Sequence, residues 1–143
     1  MSSLNRIYVG EKVDLRLRQL KGSLGLTPNL IARLGFCLSL EEPGVPDPSL
    51  YADTQAREFN RYTLTGPWDS LFFALLRERM LNDKLDLDTE IEAQFIAHLS
   101  RGVHLFYSRV KHLEDVATLV EKAHNKAKKY EAERLAENLN GSS

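Results

Sequence analysis

Leu20-Lys21-Gly22-Ser23-Leu24-Gly25-Leu26-Thr27-Pro28-Asn29-Leu30-Ile31 ends one helix and starts another, and reading it decides the fold. Upstream of the break, Val13, Leu17, Leu20 and Leu24 recur at helical spacing and define one apolar stripe. Gly22 weakens the last turn. Gly25 is placed to close the helix in the left-handed conformation, which costs residues with a Cβ energy. Thr27 then reads as an N-cap and Pro28 as the first residue of the next helix, where its missing amide would have no partner anyway. Leu30, Ile31, Leu34, Cys37 and Leu38 are the expected buried face of that second helix, and Glu41-Glu42-Pro43-Gly44 stops it. On the first helix Lys12 and Arg18 project opposite the stripe, with Arg16 and Lys21 on its flanks. Leu15 also points away from the stripe and marks part of the outer face as an interface.

Outward from this pair, Leu4 to Val9 is rich in β-branched and aromatic residues and ends at Gly10, which predicts a short strand. A lone strand is unstable and needs a partner, from another subunit if none lies within the chain. Val45-Pro46-Asp47-Pro48 predicts a rigid extended loop. In residues 57–64 Phe59, Tyr62 and Leu64 are expected to pack while Arg61 stays free. Pro67 opens a third helix with the stripe Trp68, Leu71, Phe72, Leu75 and Leu76. Thr89 and Glu92 read as the capping box of a fourth, whose apolar side runs Ile91, Phe95, Leu99, Val103, Phe106, Val110 and Leu113. Gly102 interrupts that helix at a cost of about 1 kcal/mol relative to alanine, which suits close packing or a bend. Residues 114–139 form a further helix, and Asn140 to Ser143 a disordered tail. The fold class is therefore all-α: a compact bundle of about five helices with one short N-terminal strand, a start like that of a ribbon-helix-helix protein.

With 143 residues, 43% hydrophobic and 27% charged, the chain has the composition of one globular domain. Its apolar runs fall short of the roughly 20 residues a membrane span needs. Its first residues lack the apolar core of a signal peptide. Cys37 is the single cysteine, so no disulfide forms within the chain, and the cytoplasm is the expected compartment. The net charge of −1 conceals a basic first segment, +4 over residues 1–40, followed by −7 over residues 41–100 and +2 thereafter.

No Gly-rich phosphate loop, nucleophile elbow or HExxH helix is present. His98 and His104 face different directions on one helix and share a metal with His112 only through a bend at Gly102. They and His124 read as separate surface histidines, and Cys37 as a buried, inert thiol. Asp83, Asp86, Asp88, Glu90 and Glu92 cluster at a helix start, where acids stabilise the dipole without a metal. No metal and no cofactor is expected. The basic helix pair is the stronger candidate. Lys12, Arg16, Arg18, Lys21 and Arg33 suit phosphates, and the amides opening the helix at Thr27 and Asn29 suit an anion. A merely solvated basic face accounts for the same residues as well.

Four blocks in order carry a more specific likeness: Gly25 to Asn29, Arg33 to Leu40, Glu58 to Leu64, and Ala97 to Gly102. Together they resemble the DndE family of bacterial DNA sulfur modification proteins, over residues 5–113. The resemblance implies a helical domain at residues 1–113, with the helix at 114–139 outside the likeness. It also implies service in DNA phosphorothioation beside restriction-modification functions, in which sulfur replaces a non-bridging phosphate oxygen. Partners would be double-stranded and notably nicked DNA, other Dnd proteins such as DndC and DndD, and further copies of the chain in a homo-oligomer. By position Lys12, Arg16, Arg18 and Lys21 would carry the DNA-binding surface, with Gly22 and Gly25 at the turn. The expected function is that of a DNA-binding accessory subunit. The alternatives are a nickase, for which Tyr8, Tyr62, His98 and the acidic cluster are the catalytic candidates, and an assembly adaptor without DNA affinity.

Overall fold

Ile7 and Val9 alternate with Arg6 and Tyr8, and the alternation becomes a strand, β1 (Arg6–Val9), whose inward side chains are fully buried. Its partner comes from the same chain. β2 (Arg57–Asn60) pairs antiparallel with it, setting Ile7 opposite Phe59. The partner strand that β1 was expected to need is thus supplied by its own chain, which closes a two-stranded ribbon. The computed structural model describes residues 4–53 and 55–141. The rest of the regular structure is helical: α1 (Glu11–Leu24), α2 (Pro28–Glu41), α3 (Arg61–Thr65), α4 (Asp69–Asn82), α5 (Leu87–Arg109) and α6 (Leu113–Gly141). Five long helices and one short one make the fold all-α, as expected. Among the described residues no single helix is long and apolar enough to cross a membrane.

The chain divides into a unit ending at Arg109 and one beginning at Val110. The second unit is α6, started by Asp115, whose carboxylate accepts the amides of Lys111 and His112 at 2.8 and 2.9 Å. Leu113, expected to end the preceding apolar stripe, opens this helix instead. Asn140 and Gly141, expected in a disordered tail, lie in its final turn, while Ser142 and Ser143 fall outside the described residues.

The break between α1 and α2 follows the capping chemistry. Gly25 sits at φ 73°, its amide bonded to the Lys21 carbonyl at 2.9 Å, and Thr27 Oγ1 accepts the Leu30 amide at 3.3 Å. Gly22 is helical, with open space where a Cβ would stand. The two glycines therefore respond oppositely. Gly22→Ala is expected to stabilise the protein by up to about 1 kcal/mol. Gly25→Ala is expected to destabilise it by about 1 kcal/mol through the forced left-handed backbone. Chemical denaturation of the two variants checks the sign of each.

α2 crosses α5 with backbone against backbone. A Cβ on Gly102 would lie 2.0 Å from the Gly35 carbonyl oxygen, and one on Gly35 would lie 2.7 Å from the Gly102 carbonyl carbon. Gly102 thus serves close packing, and α5 runs unbroken through it. Around the crossing Phe36 meets Phe95 and Phe72 at centroid distances of 5.0 and 5.6 Å, and Phe73 stacks on Phe95 at 5.1 Å. Because the crossing is this close, α2 buries Ile31, Ala32, Gly35, Phe36 and Ser39. That face is rotated from the expected one: Leu34 and Leu38 are half-buried, and Leu30 and Cys37 are exposed. α4 is rotated likewise. It buries Phe72, Phe73, Leu76 and Met80 and leaves Leu71 and Leu75 exposed, and Trp68, in the turn just before it, is exposed too.

Polar groups close the helix ends. The last turn of α2 carries no basic residue, and two arginines from elsewhere supply donors to its end. Arg79 donates to the carbonyls of Leu40, Glu42 and Gly44 at 2.7, 2.8 and 2.6 Å. Arg101 donates to those of Ser39 and Gly44, each at 2.8 Å. α5 is capped by Asp86, whose carboxylate accepts the amides of Asp88 and Thr89 at 2.9 Å, while Glu90 accepts the Asp86 amide at 3.1 Å. The reciprocal box expected at Thr89 and Glu92 therefore sits one turn earlier. Arg61, expected to be free, is 9% exposed and gripped by Asp69 through two bonds of 3.0 and 2.8 Å, with its guanidinium 4.2 Å from the Phe73 ring centroid. Tyr62, expected to pack, is exposed instead.

Candidate nucleic-acid interface

α1 is held against the core by Val13, Leu17, Leu20 and Leu24. At 100° per residue this fixes where its bases point. Lys12 and Arg16 lie one turn apart on the edge that faces α5. Arg18 and Lys21 lie three residues apart on the opposite edge, toward the strand ribbon. Leu15, Gln19 and Gly22 run between the two rows. The outward face is thus a shallow strip with positive charge along both sides.

The two rows are held differently. The Arg16 guanidinium stacks 3.9 Å from the centroid of the Tyr107 ring on α5 and donates to Gln19 at 3.0 Å. The stack holds the guanidinium plane against the ring. Arg18 donates to Asp14 at 3.2 Å, and Asp14 also accepts from Arg57 of β2. One carboxylate shared by two guanidiniums leaves that edge net positive. Arg18 keeps 58% of its side chain exposed. Lys12 and Lys21 are exposed. Arg57 and Tyr107 were not identifiable as part of this surface from the sequence. Each reaches it only through tertiary packing, 43 residues from Asp14 in the first case.

Arg33 is not brought to this strip. Its guanidinium donates to the backbone carbonyls of Leu64 and of Thr63, the latter at 3.1 Å, and so braces α2 against α3. Thr27 spends its hydroxyl on the Leu30 amide, and Asn29 is half-buried. Gly22 and Gly25 lie exposed at the end of the strip.

The residues considered for catalysis are dispersed. Tyr8 is exposed on β1 and Tyr62 on α3. His98, expected near the surface, is fully buried. Its Nδ1 lies 2.8 Å from Ser39 Oγ, which in turn accepts from Arg101 Nε at 2.8 Å. The buried imidazole thus shares Nδ1 with Ser39, and its Nε2 has no hydrogen-bond partner among the described residues. Burial, with Arg101 and Arg79 nearby, pushes its pKa down to about 4. Asp83 pairs with Arg79 at 2.8 Å, and Asp86 and Glu90 cap α5. Among the described residues no group of three or more His, Cys, Asp or Glu side chains is arranged to hold a metal.

Comparison with solved structures finds the same architecture elsewhere. DndE from Escherichia coli B7A, a protein involved in DNA phosphorothioation modification, superimposes with a TM-score of 0.58 at 25% identity, covering 71% of this chain and 95% of that one. A DndE variant with glycine-to-lysine substitutions superimposes with a TM-score of 0.55 at 23% identity, covering 73% and 97%. Comparison with curated proteins gives no match. The family described as DNA sulphur modification protein DndE matches residues 6–114, from the first residue of β1 through α5 and into the start of α6. Because that match takes in the ribbon, the α1–α2 turn and the glycine crossing alike, the chain belongs to the DndE family of DNA sulphur modification proteins.

Proposed function

We propose that this protein is the DNA-contacting subunit of a phosphorothioation system, holding the duplex backbone along α1 while other Dnd proteins, DndC and DndD among them, carry out the sulfur chemistry. The observation that carries this reading is the double row of bases on α1, Lys12 and Arg16 on one edge and Arg18 and Lys21 on the other. A strip with cations along both sides suits a phosphate backbone better than a single small anion, which would need convergent donors. Binding is therefore governed by phosphate contacts and is insensitive to sequence.

The test is a charge reversal on one edge. Arg18→Glu combined with Lys21→Glu changes two exposed positions and leaves the core alone. It is expected to weaken binding to all duplexes alike. Each lost phosphate contact is expected to reduce the slope of log K against log salt by about 0.9. A variant that binds as tightly as the parent, with the parent slope, removes this edge from the interface. A nickase is distinguished by incubating the purified protein with supercoiled plasmid, with and without magnesium. The proposed reading expects no nicking that co-purifies with the protein.

A further inference from the structure

On the edge of α1 that carries Lys12, a cleft of about 310 Å³ opens between the start of α1, the turn at Pro48–Tyr51 and α5. Val13 and Leu50 give it apolar walls. Tyr51 and His104 face it with near-parallel rings, 26° apart in plane and 6.4 Å between centroids. Ser100, which is 1% exposed, lines it too, and its Oγ has no hydrogen-bond partner among the described residues. A buried hydroxyl is costly to leave unbonded, so one left unbonded beside a cleft marks where a ligand's polar atom belongs.

The chemistry of the walls narrows the ligand. Asp53 accepts the Glu11 amide at 3.2 Å, so a carboxylate of the protein already occupies the seat at the start of α1 that an anion would use. The Glu11 side chain adds a second acid beside it. A free anion is therefore a poor occupant. His104 stays neutral, because burial, then Arg16 and Lys12, hold its pKa below the ordinary value. Two flat uncharged rings, apolar walls, one free hydroxyl and carboxylate acceptors suit a neutral heteroaromatic ring bearing N–H groups. The volume is at the lower end of small-ligand sites, about 300 Å³, which accommodates one ring system and excludes a duplex. The position matters as much. Lys12 stands at the rim, and Arg16 lies one turn further along α1, stacked on Tyr107 three residues beyond His104.

We propose that this cleft receives one unstacked nucleobase of the bound DNA, with Lys12 and Arg16 on the phosphates that flank it. The inference rests on the DNA-backbone reading above and specifies what that edge of α1 does. A base that is unpaired or lies at a break in one strand enters at the least cost, since less stacking and pairing is lost. The rings supply sequence-tolerant stacking, and Ser100 meets a polar atom of the base edge.

The experiment compares two duplexes, one with a single extrahelical adenine and one with an abasic tetrahydrofuran residue at the same position. The protein is expected to bind the adenine duplex about tenfold more tightly, the scale of one stacked base. Ser100→Ala and His104→Ala are each expected to cut that preference by about threefold or more. Both should leave affinity for the abasic duplex nearly unchanged. Ser100→Ala removes only an unbonded hydroxyl, so the fold tolerates it. Salt-dependent binding with no preference for the adenine, or a preference that survives both substitutions, overturns the nucleobase cleft and leaves the backbone reading standing. No binding to either duplex overturns both.

Discussion

Gly102→Ala is expected to be among the most damaging single substitutions in the chain, lowering stability by about 3 kcal/mol or more. The reason is geometric. The new methyl would sit 2.0 Å from the carbonyl oxygen of Gly35 and 2.2 Å from its carbonyl carbon, and both belong to backbone. No side chain can rotate out of the way, so α2 and α5 must separate. Separation loosens the contacts of Phe36 with Phe95 and Phe72 beside the crossing. The gain of about 1 kcal/mol from replacing a mid-helix glycine with alanine does not offset this. Typical domains have only about 5–15 kcal/mol in total. A melting temperature lower by roughly 10–20 °C is the expected readout. Gly22→Ala, on an open helix face, is the control that should not melt early. Parent-like melting of Gly102→Ala would show that the helices do not cross this closely.

The second large effect is expected at Arg61. Its guanidinium is bidentate to Asp69, reaches the Leu4 carbonyl at 3.4 Å and lies over Phe73. It thereby ties the end of the ribbon to the start of α4. Removing one partner of a mostly buried pair strands the other charge, and Arg61→Ala is expected to cost about 3 kcal/mol. Arg61→Lys keeps the charge but loses the fork, and should fall between the two. The pair also sets an acid limit. The Arg61 hydrogen bond, aided by Thr65, holds the Asp69 carboxyl below the usual carboxylate range. A depressed folded-state pKa means stabilisation that is fully present above about pH 4 and lost as the pH falls below it. Urea titrations at pH 7 and pH 3 should therefore show a larger loss for the parent than for Arg61→Ala. Equal losses would mean that Asp69 is not coupled to Arg61.

What could be read from the sequence divides along physical lines. The α1–α2 break was legible because glycine, threonine and proline each act through local backbone chemistry, and the structure places all three as that chemistry requires. The apolar stripe of α1 was legible for the same reason: one face of that helix meets the core and the other meets water. α2 and α4 misled because leucine fits both a buried and a half-exposed site. Their orientation is instead set by Gly35 against Gly102 and by the phenylalanine cluster, contacts about 60 residues apart in sequence. Arg61 and His98 misled in a related way. A charged or titratable side chain reads as exposed until its partner is known, and Asp69 and Ser39 become partners only on folding. At the candidate interface the bases of α1 were visible as charge. Arg57 and Tyr107, which hold them in place, were hidden by tertiary distance, and Arg33 was counted with them though it serves the backbone at Thr63 and Leu64.

The claim that α1 grips a DNA backbone is tested most directly by measuring duplex affinity of the unmodified protein across a range of salt concentrations. Lys12, Arg16, Arg18 and Lys21 together should give log K against log salt a negative slope of roughly 3 to 4, with little dependence on base sequence. A flat line, or no binding at low salt, would contradict it.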